Sequence, residues 1–255
     1  MSDAVEFDPR FDFRTDSGGG DPDAESPTLR AYHKLLWDKP LPNGTKFTLE
    51  YAPERSEYLV HDSHLGRFSL ASDTCVPGWS NWKRERIADI VREVSREELT
   101  DFDTLTYQMG AMLLFPRNGP GEARGQSMNQ ERGTNGFIVD RLDLTLECIR
   151  LYYQDKAEPG SVAVNPLADA INRWSDFFDL FGDFKGYTDF FLLQDLLTTD
   201  GATVDLFLPN DGFPWWPFPA DVDEYAEYRR RALGFVEERN RRMEDWVRRE
   251  AGGKS

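Results

Sequence analysis

The stretch from Arg132 to Tyr153, RGTNGFIVDRLDLTLECIRLYY, restricts the fold more than any other part of the chain. It reads as a glycine-bearing loop followed by a helix that is apolar over most of its surface. Such a helix needs a core around it. Four charges interrupt the apolar surface: Asp140, Asp143, Glu147 and Arg150. At about 100° per residue they fall within roughly 80° of arc and form one stripe. Leu144 and Leu151 border the stripe on one side and Val139 on the other. A charged stripe between apolar borders lines either a polar interior or a cleft.

The stripe is unbalanced. Like charges at i,i+3 and i,i+4 oppose helix formation, and Arg150 offsets only Glu147. A further compensating group is needed: Arg132 in the preceding loop MNQERGTNG, Lys185, a metal or a cationic ligand can supply it. Gly133 and Gly136 let that loop turn tightly in front of a helix N-terminus, whose free N–H groups can hold phosphate or carboxylate. It is not a phosphate-binding P-loop, because the GK[ST] ending is missing. Buried carboxylates set close together repel, and one is then pushed toward protonation, which is how general acids arise. On this reading Asp143 and Glu147 are candidate catalytic groups with His33 as a further acid/base, and Arg132, Asp140 and Arg150 bind the ligand. The competing reading is a solvated helix face, or a structural ion-pair network with Arg141 and Arg173.

Other chemistry is sparse. His61 and His64 lie in VHDSHLG, but in a strand they point to opposite faces and their spacing matches no standard finger, so no metal site is expected. No cofactor is indicated. Trp215 and Trp216 in GFPWWPFP offer a stacking surface for a base, sugar or peptide, or else pack the last helix onto the body. There is no G-x-S-x-G and no H-E-x-x-H.

Charge narrows the partners. The 255 residues carry 30 Lys plus Arg against 46 Asp plus Glu, a formal charge of −16. That argues against non-specific nucleic-acid binding and against an anionic membrane surface, and it suits a basic protein partner. No apolar run approaches the length of a membrane span. The first residues lack a secretory signal, and Cys75 and Cys148 are the only cysteines, so a cytoplasmic protein with reduced thiols is expected.

Along the chain, residues 1–25 read as a flexible acidic arm, with Phe7, Phe11 and Phe13 able to dock it, and residues 26–251 as a single globular domain. Ser26-Pro27 caps a helix over 28–37. KFTLEY, YLVH and GRFSL read as strands, and GAMLLF as a buried one. A helix follows Ser80, and Ser95 with Glu98 caps another. Residues 117–136 read as a polar, glycine-rich loop. Beyond the striped helix come a helix over 166–181, a buried helix in DFKGYTDFFLLQDLL, a strand over 203–208 and a long last helix opened by Asp221 and Glu224. The pattern is α+β, with short strands mainly in the first half, helices mainly in the second and a long C-terminal helix.

Three segments carry a family resemblance: SPTLRAYHKLLWDKPLPNG from Ser26, DRLDLTLECIRLYY from Asp140 and DFFDLFGDFKGYTDFFLLQDL from Asp176. Together they resemble an uncharacterised family of soluble bacterial proteins classed as a domain of unknown function, from about Phe11 to the last helix. The resemblance implies a bacterial, soluble, single-unit protein and assigns no functional residue. Two functions stay open. One is a binding or regulatory protein with an acidic surface. The other is a small-molecule enzyme acting on a phosphorylated or nucleotide-like anion through the Arg/carboxylate cluster.

Overall fold

A computed structural model describes residues 6–52, 57–79, 85–162, 164–208, 213 and 216–252. Helices start where a capping side chain meets a proline. Asp21-Pro22 opens α1 (Pro22–Glu25), and Ser26-Pro27 opens α2 (Pro27–Trp37), the Ser26 hydroxyl accepting from the Leu29 N–H at 3.1 Å. Strands β1 (Glu50–Ala52), β2 (Glu57–Ser63), β3 (Gly66–Thr74) and β4 (Met112–Arg117) form an antiparallel sheet in the order β1-β2-β3-β4. Leu59 lies opposite Leu70, and Ser72 opposite Leu114. Between β3 and β4 come α3 (Glu85–Arg92) and α4 (Arg96–Thr106), the latter closed at its start by the Ser95/Glu98 capping box. As an edge strand, β4 accommodates Pro116.

The second half is helical: α5 (Met128–Thr134), α6 (Leu142–Ala157), α7 (Ala168–Arg173), α8 (Ser175–Asp179), α9 (Phe184–Phe190) and α10 (Val222–Gly252). The architecture is α+β as expected, with the strands in the first half and a long C-terminal helix. No helix among the described residues is long and apolar enough to cross a membrane.

Several elements differ from the sequence pattern, each for a local reason. β1 begins at Glu50 rather than Lys46, because the Phe47 N–H goes to the Lys39 carbonyl and Thr48 faces the His61 ring. The glycine-rich stretch contains α5, capped by a box of Ser127 with Gln130. The helix expected over 166–181 is broken at Trp174, which leaves the helical region at φ −115° and ψ 21°. Residues 203–208 make a single bridge, Leu197 to Val204, and the Phe207 N–H donates to the Asp143 carboxylate instead of to a strand. The striped helix starts at Leu142, not Phe137, because Val139 and Asp140 turn through positive φ, at 45° and 64°.

From Glu6 onward the segment expected as an arm lies against the body. Phe13 is buried, Phe7 and Phe13 pack edge-on to Tyr32, and the Tyr32 hydroxyl accepts from the Asp8 N–H. The Met109 N–H donates to the Pro9 carbonyl at 2.9 Å.

The core is a mesh of rings. Phe181 stands 5.2 Å from Tyr187, 5.1 Å from Phe190 and 5.2 Å from Phe191, and Trp37 closes the group at 5.3 Å from Phe191. Helix α10 is locked onto the turn before β4. The Gly110 N–H donates to Asn240 Oδ1 at 2.7 Å, and Arg239 Nη1 donates to the carbonyls of Gly110 and Met112 at 2.9 Å each. Only glycine allows this approach, since a Cβ at position 110 would sit 2.4 Å from the Val236 carbonyl oxygen. Gly110→Ala is therefore expected to lose ~1–3 kcal/mol or more. Gly234→Ala, on the open face of the same helix with nothing within 4 Å of the new Cβ, should gain ~0.5–1 kcal/mol. Urea-unfolding midpoints of the two variants check both signs.

Candidate functional site

Arg132 is fully buried at the junction of α5, β3 and α6. Its Nη1 is ion-paired with Asp73, its Nε donates to Thr145 Oγ1 at 3.0 Å, and its Nη2 donates to the Asp140 carbonyl at 2.7 Å. The guanidinium also lies 4.5 Å from the Phe115 ring centroid. Expected at the mouth of a loop, Arg132 is instead held at its root. The Asp140 carboxylate fills the space above Gly133, where a Cβ would meet both of its oxygens at 3.1 Å.

Charge is unbalanced here as well. Asp23, Asp73 and Asp140 all feel the one guanidinium of Arg132. Burial pushes the Asp23 carboxyl up to about 6, helped by Asp21 and Asp140 and opposed by the Thr74 N–H and Arg132. Burial likewise raises Asp73 and Asp140 against the pull of Arg132.

The stripe separates into three unrelated parts. Asp140 belongs to the left-handed turn and not to the helix. Asp143 is fully buried, paired in a fork with Arg141, and it also accepts from the Phe207 N–H at 2.7 Å. Arg141 in turn donates to the Pro217 carbonyl at 2.7 Å. This is the structural network that was the competing reading, with Arg141 as its cation. Arg173 pairs elsewhere, with Glu131. Glu147 and Arg150 form a bidentate pair at 2.7 Å on the half-exposed face of α6. The structure therefore does not bring Asp143, Glu147, Arg150 and Arg132 to one place.

His33 is buried. Its Nδ1 accepts from the Trp37 indole N–H at 3.1 Å, and its Nε2 lies 2.9 Å from Ser72 Oγ. Since an indole nitrogen only donates, the neutral ring carries its proton on Nε2 and gives it to Ser72. That tautomer is the wrong one for a base that takes a proton from the serine. Burial, with Arg239 adding to it, lowers the imidazole to about 3. Trp216 is half-buried and packs 5.0 Å from Phe218, while Trp215 lies outside the described residues.

A cavity of about 440 Å³ opens beside the Arg132 centre, lined by α1, β2, β3, the end of β4 and the start of α5. Four residues that line it carry a buried polar atom with no hydrogen-bond partner: Asp23 Oδ1, Tyr58 Oη, Asn118 Oδ1 and Asn129 Oδ1. The two amides have a defined orientation, because Asn118 Nδ2 donates to the Gly125 carbonyl at 2.6 Å and Asn129 Nδ2 donates to the Ser72 carbonyl at 3.0 Å. Their oxygens are thus left as acceptors. A larger cavity of about 520 Å³ along α6 and α8 has no such atom on its lining residues. Each orphaned buried group costs on the order of 1–3 kcal/mol, so four on the lining of one cavity single it out as a candidate binding site. None of the four was legible as a site in the sequence. They come from four separate segments and share no spacing.

The comparisons give a family and no activity. A family model described as a family of unknown function, DUF6994, matches residues 7–243, the span over which the resemblance was expected. No curated protein and no solved structure matches.

The Arg132 centre yields a direct test. Arg132→Met removes the shared cation and leaves buried carboxylates uncompensated, so a loss of ~3–5 kcal/mol is expected at pH 8. A carboxyl whose folded pKa is raised, as at Asp23, stabilises the fold fully below its ordinary value of 3.8 and loses that contribution as pH rises through about 6. Without Arg132 these pKa values rise further, so the deficit of the variant relative to wild type should shrink on acidification from pH 8 to pH 5. Chemical unfolding of both proteins across that range measures the difference.

Proposed function

We propose that this chain, which belongs to the DUF6994 family of unknown function, is a binding protein whose ligand is a small molecule rich in N–H donors, such as an amine or guanidine, held in the cavity beside Arg132. The observation that carries the reading is the set of unpartnered acceptors at Asp23, Asn118 and Asn129, joined by the Tyr58 hydroxyl. Unpartnered oxygen acceptors on residues that line one cavity suit a donor ligand and repel an anion. Asp21 and Asp23 add negative charge to the same lining, and Arg117 adds a cation that suits a carboxylate elsewhere on the ligand. The acidic balance of the whole chain points the same way.

An enzyme acting on an anionic ligand has less support. Arg132 is already committed to Asp73, Thr145 and the Asp140 carbonyl, and Arg150 to Glu147 and Gln154. What favours chemistry at all is Asp23, a cavity carboxyl that titrates near neutrality.

Titration calorimetry with putrescine, arginine and inorganic phosphate tests the reading. One or both of the amine-bearing probes should bind and phosphate should not. Asp23→Asn keeps the shape and removes the charge, and it should weaken binding by about 10- to 100-fold, the value of a charge-assisted hydrogen bond. Binding of phosphate alone, or amine binding indifferent to Asp23→Asn, would overturn the proposal.

A further inference from the structure

Lys39 follows the end of α2 and is fixed at both of its peptide groups. Its N–H donates to the Trp37 carbonyl at 2.8 Å, and its carbonyl accepts from the Phe47 N–H at 2.9 Å. The side chain enters a cage of rings, with Nζ 4.7 Å from the centroids of Trp37 and Phe190 and 5.1 Å from that of Trp246. Only 9% of the residue is exposed. It lines a cavity of about 410 Å³ between the Pro40–Pro42 turn and α9.

The surrounding carboxylates are occupied. Asp189 is paired with Lys185 and accepts from Gln194, and Asp183 Oδ1 caps α9 by accepting from the Gly186 N–H at 2.7 Å. Glu250 on α10 is exposed and makes no ion pair with Lys39 among the described residues. On the repulsive side stands Arg239, fully buried, its Cζ 6.0 Å from the same Trp37 ring. Arg239 has no carboxylate partner among the described residues. It donates to the carbonyls of Phe191, Gly110 and Met112. Of two cations crowded onto one ring, the lysine gives up its proton, because a guanidinium is far the weaker acid. Burial and then Arg239 bring the Lys39 amine down to about 7, against the opposing pull of Glu250 and Asp189. An ordinary lysine keeps well under a thousandth of its amine neutral at that pH.

We propose that Lys39 is a nucleophilic amine that condenses with a small neutral aldehyde or ketone in this cavity. The neutral Nζ attacks the carbonyl carbon. A C–N bond forms, the C=O π pair moves to oxygen, and the oxygen takes one proton from the nitrogen to give a carbinolamine. Departure of the hydroxyl with the second nitrogen proton, as water, leaves the imine. Carbon changes no oxidation level, so no oxidant or reductant is required. The cavity wall sets Asp183 and Asp189 against Lys185 and Lys39, a near-balanced lining that suits a neutral electrophile.

Reductive alkylation of the full-length protein with propionaldehyde and cyanoborohydride, read by peptide mass spectrometry from pH 6 to pH 10, tests this directly. Lys39 should be modified at least about ten-fold faster than the exposed Lys34 and Lys185 at pH 7. Its rate should rise through a midpoint near 7. Lys39→Arg should abolish labelling of that peptide and leave the others unchanged. A Lys39 rate no greater than that of Lys34, or a midpoint near 10, overturns the proposal, and neither reading depends on a variant folding.

Discussion

A guanidinium taken out of water must find acceptors for its five N–H donors, and among the described residues three lie fully inside: Arg132, Arg141 and Arg239. Each is met by groups from distant parts of the chain. Arg132 joins β3, α6 and the 140 turn; Arg141 ties the start of α6 to Pro217; Arg239 ties α10 to the segments around Gly110 and Phe191. Loss of any one partner strands a charge, so the elements are fixed relative to one another more tightly than apolar packing alone would require. The cavity inherits that rigidity. Asn129 sits on the same short helix as Arg132, and Ser72 precedes the Asp73 that Arg132 holds.

The same constraint sets the chemistry at both candidate sites. Around Arg132 carboxylates outnumber the cation, and burial, helped by the neighbouring carboxylates, raises the Asp23 carboxyl to about 6. Around Arg239 the imbalance is reversed. A buried cation satisfied only by carbonyls makes its surroundings positive, and Lys39 is the group able to respond. One fold thus holds an acid with a raised pKa and a base with a lowered one, in separate cavities, through burial reinforced by unequal sharing of charge.

Much of the frame was legible because its signals are local. Ser26-Pro27, the Ser95/Glu98 box and the Asp221/Glu224 start all mark helices by a side chain reaching its own backbone neighbours. The Ser127/Gln130 box was equally readable, but Gly133 and Gly136 drew the eye to a loop. The stripe misled at Asp140, because nothing in a hydrophobic period announces a left-handed turn at a β-branched Val139. The site was not legible, since Asp23, Tyr58, Asn118 and Asn129 meet only through the sheet and two short helices. Lys39 read as a helix stop, and its cage is closed by Phe190 and Trp246, which lie far along the chain.

The clasp between Gly110 and Asn240 has a consequence for how the molecule is made. A ribosome delivers the meander and the Asp23 cavity long before it delivers α10, yet Asn240 is what accepts from the Gly110 N–H and Arg239 is what donates to the neighbouring carbonyls. Until then the turn before β4 waits without the side chains that satisfy its backbone groups. Contacts of such sequence separation close slowly. The segment around Gly110 is therefore among the last parts of the fold to be completed, although it is made in the first half of the chain.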